Sequence, residues 1–453
     1  MTKLFYSIFV FLIFLQARVM AEPFISIDLS QSLKNLYEYN PKLKYERELL
    51  MSKDELFPQA LSEFRPEVSG YYEKGKVDTN SAGFNITSDG IRTESNKGLT
   101  ITQRLFDGGS SLSNIQVAKN EILAQRFFLK NIEQEIFLES IEIYADLATE
   151  KINQNLKKKN VEFLESQEEL TKEQFEIGEV TLTDVSIAEA RLSLAKSELL
   201  ESSNKIISLS AKFESFFGMK PIKPDINMSL NLIDEKFEAL KIKSKKNNPK
   251  ILYLSYQIKS TEKDIQRLKR KRLPSLKLEA EAKINEGYFR TDSEREVLSA
   301  FAKVDIPLYQ AGAASSKIRE TKKKLFAQKE LLKMENQEVE YNVVSSKSSL
   351  DYSISRINAY KKQIESNKIY LDGLSQELQL GERTTLDLLD GEQELLESEL
   401  DLVKAYRDYF ISYYRLLFFL GNLNAKDLNL DVKLFDETKN FRNIKGKWLD
   451  IIE

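Results

Sequence analysis

The side chains with the clearest chemical potential are acidic residues that follow two glycines, Gly178 and Gly381. Asp184 and Asp387 each come six residues after their glycine. Carboxylates grouped at a narrow place attract cations and accept hydrogen bonds. The chain of 453 residues has no Cys and no His, which excludes thiolate nucleophiles, histidine bases and imidazole metal sites. We therefore expect no enzyme, no cofactor and no metal, although a hydrolase that uses only carboxylates stays open.

Each turn also has the pattern of a helix end followed by a helix start. Gly is the usual residue just past a helix end. Thr181 with Asp184, and Thr384 with Asp387, have the spacing of a capping box, in which two residues satisfy each other's backbone N–H groups. One helix is thus predicted to end at each glycine and another to begin at each threonine. On this pattern alone, both aspartates could be helix caps, functional residues or both.

Two further charges distinguish the second turn from the first. At an offset of 203 positions, Arg383 aligns with Val180, and Asp390 aligns with Ile187. Capping is common to both turns, so it does not explain the two extra charges. Alternatively, Arg383 and Asp390 belong to a charged helix face exposed to solvent and have no specific role.

The two turns belong to an internal duplication. Segment 40–43 (Asn-Pro-Lys-Leu) recurs at 248–251 (Asn-Pro-Lys-Ile), and segment 105–109 (Leu-Phe-Asp-Gly-Gly) recurs at 308–312 (Leu-Tyr-Gln-Ala-Gly). Two copies of about 200 residues predict a pseudo-two-fold protomer rather than an array of short units. The predicted division is a signal peptide at 1–21, a first repeat at 22–220, a linker at 221–235, a second repeat at 236–422 and a tail at 423–453.

Long helices are predicted to carry the turns. Between 110 and 217 the only Gly or Pro is Gly178, and between 313 and 372 there is neither. At about 1.5 Å per residue, a helix from 110 to 177 would be on the order of 100 Å long. Its many Glu, Lys, Leu, Gln and Ala residues favour packing against neighbouring helices, as in a coiled coil.

A period of two appears before the first long helix of each copy. Apolar and polar residues alternate over 275–284 and 298–306, with Phe301 as the exception on the polar face. The first copy alternates less regularly. Strands of roughly nine to eleven residues can cross a membrane at a tilt, so membrane β-hairpins are predicted at about 66–106 and 274–308. A half-buried hairpin of a soluble protein would alternate too.

Four strands are too few to close a membrane barrel, since the smallest use about eight. The chain is therefore expected to form an oligomer. The N-terminus has Lys3, an apolar run over 4–15 and small residues before Glu22, which predict a signal peptide cleaved after Ala21. No later segment has eighteen consecutive apolar residues, so no transmembrane helix is predicted. The missing Cys excludes a lipid-anchored N-terminus.

From about 27 to 423 the chain resembles the TolC family of outer-membrane efflux proteins. The resemblance rests on segments 40–43 and 105–109 and on two longer motifs, Phe-Glu-Ile-Gly-Glu-Val-Thr-Leu-Thr-Asp-Val at 175–185 and Leu-Gly-Glu-Arg-Thr-Thr-Leu-Asp-Leu-Leu-Asp at 380–390. It implies a mainly α fold with membrane β-structure. The implied assembly is a homotrimer with one twelve-stranded β-barrel, four strands per chain, continued by a long periplasmic α-helical barrel.

The resemblance also implies a function. Such proteins are passive exit ducts in the bacterial outer membrane that extend into the periplasm. They accept small molecules, or proteins in type I secretion, from an inner-membrane transporter through a periplasmic adaptor (membrane fusion) protein. Contacts with outer-membrane lipids are expected, and nucleic acid is not. The alternative is a periplasmic coiled-coil adaptor or scaffold without a membrane barrel.

The same resemblance implies a periplasmic gate. Asp387 and Asp390 match the positions of a selectivity ring, so a trimer would bring six carboxylates around a narrow axis. The positions implied in links that hold the tip closed are Arg383, Asp184, Thr183 and Gln167. The linking tyrosine of the family falls at Leu378, so one closing contact is expected to be absent or replaced.

Overall fold

The computed structural model describes residues 27–79, 90–221, 224, 226, 233–290 and 292–448. The predicted signal peptide lies outside these residues, as does most of the predicted linker. The described chain is mainly helical, with four strands in one antiparallel sheet, which confirms the predicted fold class. Among these residues, no helix has both the length and the apolar character needed to cross a membrane.

The two copies fold into nearly the same succession of elements, except that the first copy has two helices, α2 and α3, where the second has one, α7. The first copy contains α1 (Ile27–Tyr39), α2 (Pro41–Asp54), α3 (Leu56–Ser62), β1 (Glu67–Thr79), β2 (Gly90–Phe106), α4 (Ser110–Glu176) and α5 (Leu182–Phe217). The second contains α6 (Phe237–Asn247), α7 (Pro249–Arg270), β3 (Ser275–Glu286), β4 (Glu294–Asp305), α8 (Ala313–Gln379) and α9 (Thr385–Leu420), and a short helix α10 (Lys439–Ile444) follows. Helices α4 and α8 both have 67 residues, and α5 and α9 both have 36.

The repeated Asn-Pro pair explains where α2 and α7 begin. Pro41 and Pro249 are the first residues of these helices, where the missing N–H of proline would have had no partner inside the helix. Asn40 accepts a hydrogen bond from the backbone N–H of Leu43 at 3.1 Å, as an N-cap residue does. The duplication thus preserved a local signal for starting a helix.

The chain divides into two compact units. Among the described residues, unit 1 takes in those of 27–45, 130–249 and 336–435, and so contains the two helix turns. Its core lies between α4 and α9, where Tyr144 and Tyr414 are completely buried. Ion pairs Arg407–Asp146 at 2.5 Å and Arg415–Glu142 at 2.7 Å also join these helices.

Unit 2 takes in the described residues of 46–129, 250–335 and 436–448, and contains the sheet. The strand order is β1-β2-β3-β4, and the β2–β3 pairing joins the two copies. Leu99, Ala282 and Leu298 lie opposite one another on three strands and form part of an apolar face. Leu298 is 87 % exposed, so the part of the chain that the structure describes does not cover this face. Phe301 pairs with Glu279 on the other, polar face.

Candidate functional site

The two helix turns have the same backbone conformation. Gly178 and Gly381 adopt left-handed φ values of 83° and 73°. The N–H of Glu179 donates to the carbonyl of Gln174, five residues earlier, and that of Glu382 donates to Glu377, both within 3.0 Å. This is the Schellman arrangement, which satisfies the last carbonyls of a helix and favours glycine for its left-handed residue. The turns predicted at both glycines are present.

Both predicted capping boxes are confirmed. The carboxylate of Asp184 accepts hydrogen bonds from the backbone N–H of Thr181 at 2.8 Å and from its hydroxyl at 2.7 Å, and the Thr181 hydroxyl oxygen accepts from the N–H of Asp184. Asp387 and Thr384 repeat this pattern at 2.9 and 2.8 Å. Hydrogen bonds to the ionised form lower the pKa of both aspartates below the usual 3.8.

The charges that distinguish the second turn have separate partners. Arg383 donates from Nε to the carboxylate of Glu377, 2.8 Å away, across the turn between α8 and α9. Asp390, one turn into α9, accepts a hydrogen bond from the guanidinium of Arg191 on α5 at 2.7 Å. The second pair joins the two helical hairpins, whereas the first stays within one of them.

The remaining predicted gate residues lie nearby in sequence, and the single chain does not join them directly to Arg383. Thr183 is exposed in the first turn of α5. Gln167 is half-buried in α4, and its carbonyl accepts a hydrogen bond from the hydroxyl of Thr171 at 2.7 Å. Leu378 is half-buried in the last turn of α8, and its carbonyl accepts the N–H of Gly381.

Arg191 is the residue at this site that sequence reasoning missed. The same repeat comparison that separated Asp390 from Ile187 could have found it, because Arg191 aligns with Glu394 at the offset of 203. The ion pair is held in place by packing. Leu389, next to Asp390, belongs to a buried cluster with Leu192 and Ala195 of α5 and Val161 and Leu164 of α4.

Asp387 and Asp390 place negative charge at a helix tip, and Arg191 compensates part of that charge. Asp387 is fixed by its cap, and its charge is maintained because its pKa is lowered. Asp390 is fixed by Arg191, which also compensates its charge. Since both groups are partly exposed, such a pair contributes about 0.5 kcal/mol and acts mainly on the local potential.

The chain belongs to the outer membrane efflux protein family. The model of this family matches twice, over residues 33–213 and 242–422, so it covers most of the chain and both copies of the repeat. Membership in this family identifies the protein as an outer-membrane efflux channel protein and confirms the predicted resemblance and location.

Individual relatives agree with this assignment. The chain is 26 % identical over 428 residues to the outer membrane efflux protein BepC of Brucella suis, covering 94 % of this chain and 92 % of BepC. It is 23 % identical to the outer membrane protein TolC of Escherichia coli, covering 89 % and 85 %. The fold is that of the outer membrane protein VceC of Vibrio cholerae, with a TM-score of 0.76 at 17 % identity over 87 % of this chain and 96 % of VceC.

Proposed function

We propose that three copies of this chain form a passive exit duct whose sheets combine into one twelve-stranded barrel in the outer membrane. The observation that carries the proposal is the four-stranded sheet of unit 2. Among the described residues, β1 and β4 pair with another strand on one side only, and the apolar face is uncovered. Backbone groups at open edges need partners in lipid, and further copies of the same sheet provide them.

The duct does no chemistry in this proposal and takes its cargo from other proteins. The cargo would be delivered by an inner-membrane transporter through a periplasmic adaptor protein, either small molecules in efflux or proteins in type I secretion. A periplasmic coiled-coil scaffold is the second candidate, because α4 and α8 are long enough to form one. The uncovered apolar strands favour the duct, since a scaffold would expose them to water.

The proposed gate lies at the two helix turns and comprises Asp387, Asp390, Arg383, Asp184, Thr183 and Gln167, to which we add Arg191. Two of its acids are caps of α5 and α9, so their positions follow from where those helices begin. Asp390 and Arg191 connect the two hairpins of one chain. Opening of the tip would change the distance between the two hairpins, so it would also change the distance between Asp390 and Arg191.

Conductance of the purified protein in planar lipid bilayers tests the duct and the gate together. Ion-conducting channels are expected, and Asp390→Asn should lower the ratio of cation to anion permeability. Glu201→Gln is the matched control, because Glu201 is an exposed acid on α5 that pairs with Lys205 away from the turn. Absence of channels would support the scaffold. Channels with an unchanged ratio in Asp390→Asn and Asp387→Asn would refute the gate assignment but keep the duct.

A further inference from the structure

The C-terminal tail has no counterpart in the repeat, yet its part from residue 436 onwards makes specific contacts within unit 2. The side-chain amide of Asn440 in α10 donates to the buried carboxylate of Asp54 at 3.1 Å. Phe441 packs edge-on against Phe57, with ring centroids 5.1 Å apart, and the guanidinium of Arg126 lies 5.5 Å from the Phe441 ring. The short helix α10 is thus held at a defined place by polar and aromatic contacts.

Beyond α10 the tail leads to an exposed tryptophan beside an arginine. Arg65 donates a hydrogen bond to the carbonyl of Lys447 at 2.8 Å, and its guanidinium lies 4.7 Å from the ring of Trp448. Trp448 remains 67 % exposed and is the only Trp in the chain. Because Arg65 precedes β1 by two residues, the tail places Trp448 where the chain enters the sheet.

The end of the sheet where the chain enters β1 has the side chains that are typical of a membrane–water interface. Strands β1 and β3 begin there, and β2 and β4 end there, because neighbouring strands are antiparallel. Large apolar side chains stay exposed beside these strand ends, namely Phe64, Phe106, Leu273, Leu308 and Tyr309. Exposed Lys271 and Arg272 precede β3. Aromatic and basic side chains together are typical of the headgroup region of a bilayer.

We propose that Trp448, paired with Arg65, inserts into the phospholipid headgroup region of the periplasmic leaflet, so that the C-terminal tail anchors the base of the barrel to the membrane. The inference rests on the proposed function, which places the sheet in the outer membrane. An indole ring has an apolar body and one N–H donor, and a guanidinium binds phosphate, so the pair suits this layer. The contacts of Asn440 and Phe441 hold an exposed Trp at this depth.

Because Trp448 is the only Trp, its fluorescence reports on this place alone. The full-length protein would be reconstituted into phosphatidylethanolamine–phosphatidylglycerol vesicles that contain lipids spin-labelled either at the headgroup or near the end of the acyl chain. For an interfacial Trp, the headgroup label should quench at least about twofold more than the chain-end label. If the two labels quench Trp448 equally, the anchor is overturned, whether or not Trp448 is protected from acrylamide in the water.

A second single-Trp protein separates this inference from the proposed function. Trp448→Phe combined with Leu298→Trp moves the indole to the uncovered apolar face of β4. Quenching of this protein by acyl-chain labels, together with an unquenched Trp448 in the unchanged chain, would reject the anchor and keep the membrane barrel. If neither indole is quenched by any lipid, the barrel proposal fails as well, and the anchor fails with it.

The role of Arg65 is tested in the same vesicles. Arg65→Gln removes the cation beside the ring, so we expect a clear loss of the headgroup-label quenching of Trp448. Arg442→Gln is the matched control, because Arg442 is an exposed arginine of the same tail that pairs with Asp436 at 2.6 Å. Equal quenching in the two variants would overturn the pairing of Arg65 with Trp448 as the anchoring element.

Discussion

The first and second helix turns have one backbone design and two different sets of charges. In both turns a left-handed glycine ends a helix of 67 residues, and a Thr–Asp capping box begins a helix of 36. Only the second turn adds Arg383 and Asp390, where the first has Val180 and Ile187. The comparison shows that duplication kept what the backbone requires, while the charged side chains beside the turn diverged.

The largest expected effect comes from the charge that the second turn alone possesses. Arg383→Ser removes the ion pair with Glu377 and, in the proposed trimer, a link that closes the tip. We expect the leak current of reconstituted channels to rise more than about twofold. Val180→Ser makes the matched change in the first turn and should leave the current unchanged. An equal rise in both variants would mean that the turns do not differ in function.

Asp184 distinguishes capping from gating at the first turn. Asp184→Ala removes both the cap and the charge, and we expect leak current to rise. Asp184→Asn keeps a side chain that can cap a helix but has no charge. A rise in Asp184→Ala alone would assign Asp184 to capping, whereas a rise in both variants would assign a gating role to the charge. If the leak current rises in neither variant, Asp184 is not part of the gate.

Arg191 should reduce the effect of the Asp390 charge on the permeability of the channel to ions. Arg191→Ala leaves this carboxylate uncompensated, so the cation-to-anion permeability ratio should rise by about twofold, the size expected for one exposed ion pair. Glu394→Ala, at the aligned position of the second copy, removes a negative charge and should produce no rise. Reversal potentials in a salt gradient measure both. An unchanged ratio in Arg191→Ala would show that the pair does not control selectivity.

The smallest effect is expected from pH, because hydrogen bonds lower the pKa of the capping aspartate in both turns. Hydrogen bonding lowers the pKa of Asp184 and Asp387 below 3.8, so the stabilisation by the caps is present above that value and is lost as pH falls through the lowered pKa. Hydrogen exchange in the first turns of α5 and α9 should keep its pattern of protection from about pH 7 to about pH 5. Loss of protection in one turn only would break the equivalence of the caps.

Much of the fold could be predicted because its signals are local. Glycine, threonine and aspartate within one stretch of chain determine where α4 ends and α5 begins, and α4 occupies almost the predicted span. The alternation over 275–284 predicted β3, since side chains of a strand point to opposite faces in turn. The first hairpin alternates less clearly, and the ends of its two strands at Thr79 and Gly90 follow from the pairing of the strands with each other.

The sequence by itself determined the long helices, the capped turns and the strands, because each depends on residues that are neighbours in the chain, and comparison of the sequence with itself determined the duplication. Only the tertiary structure decided that Asp390 meets Arg191, 199 positions away, and that the tail brings Trp448 to Arg65. These contacts depend on how separate helices and the tail pack. A charged residue has many possible partners in a chain with 67 basic and 70 acidic residues, and packing chooses among them.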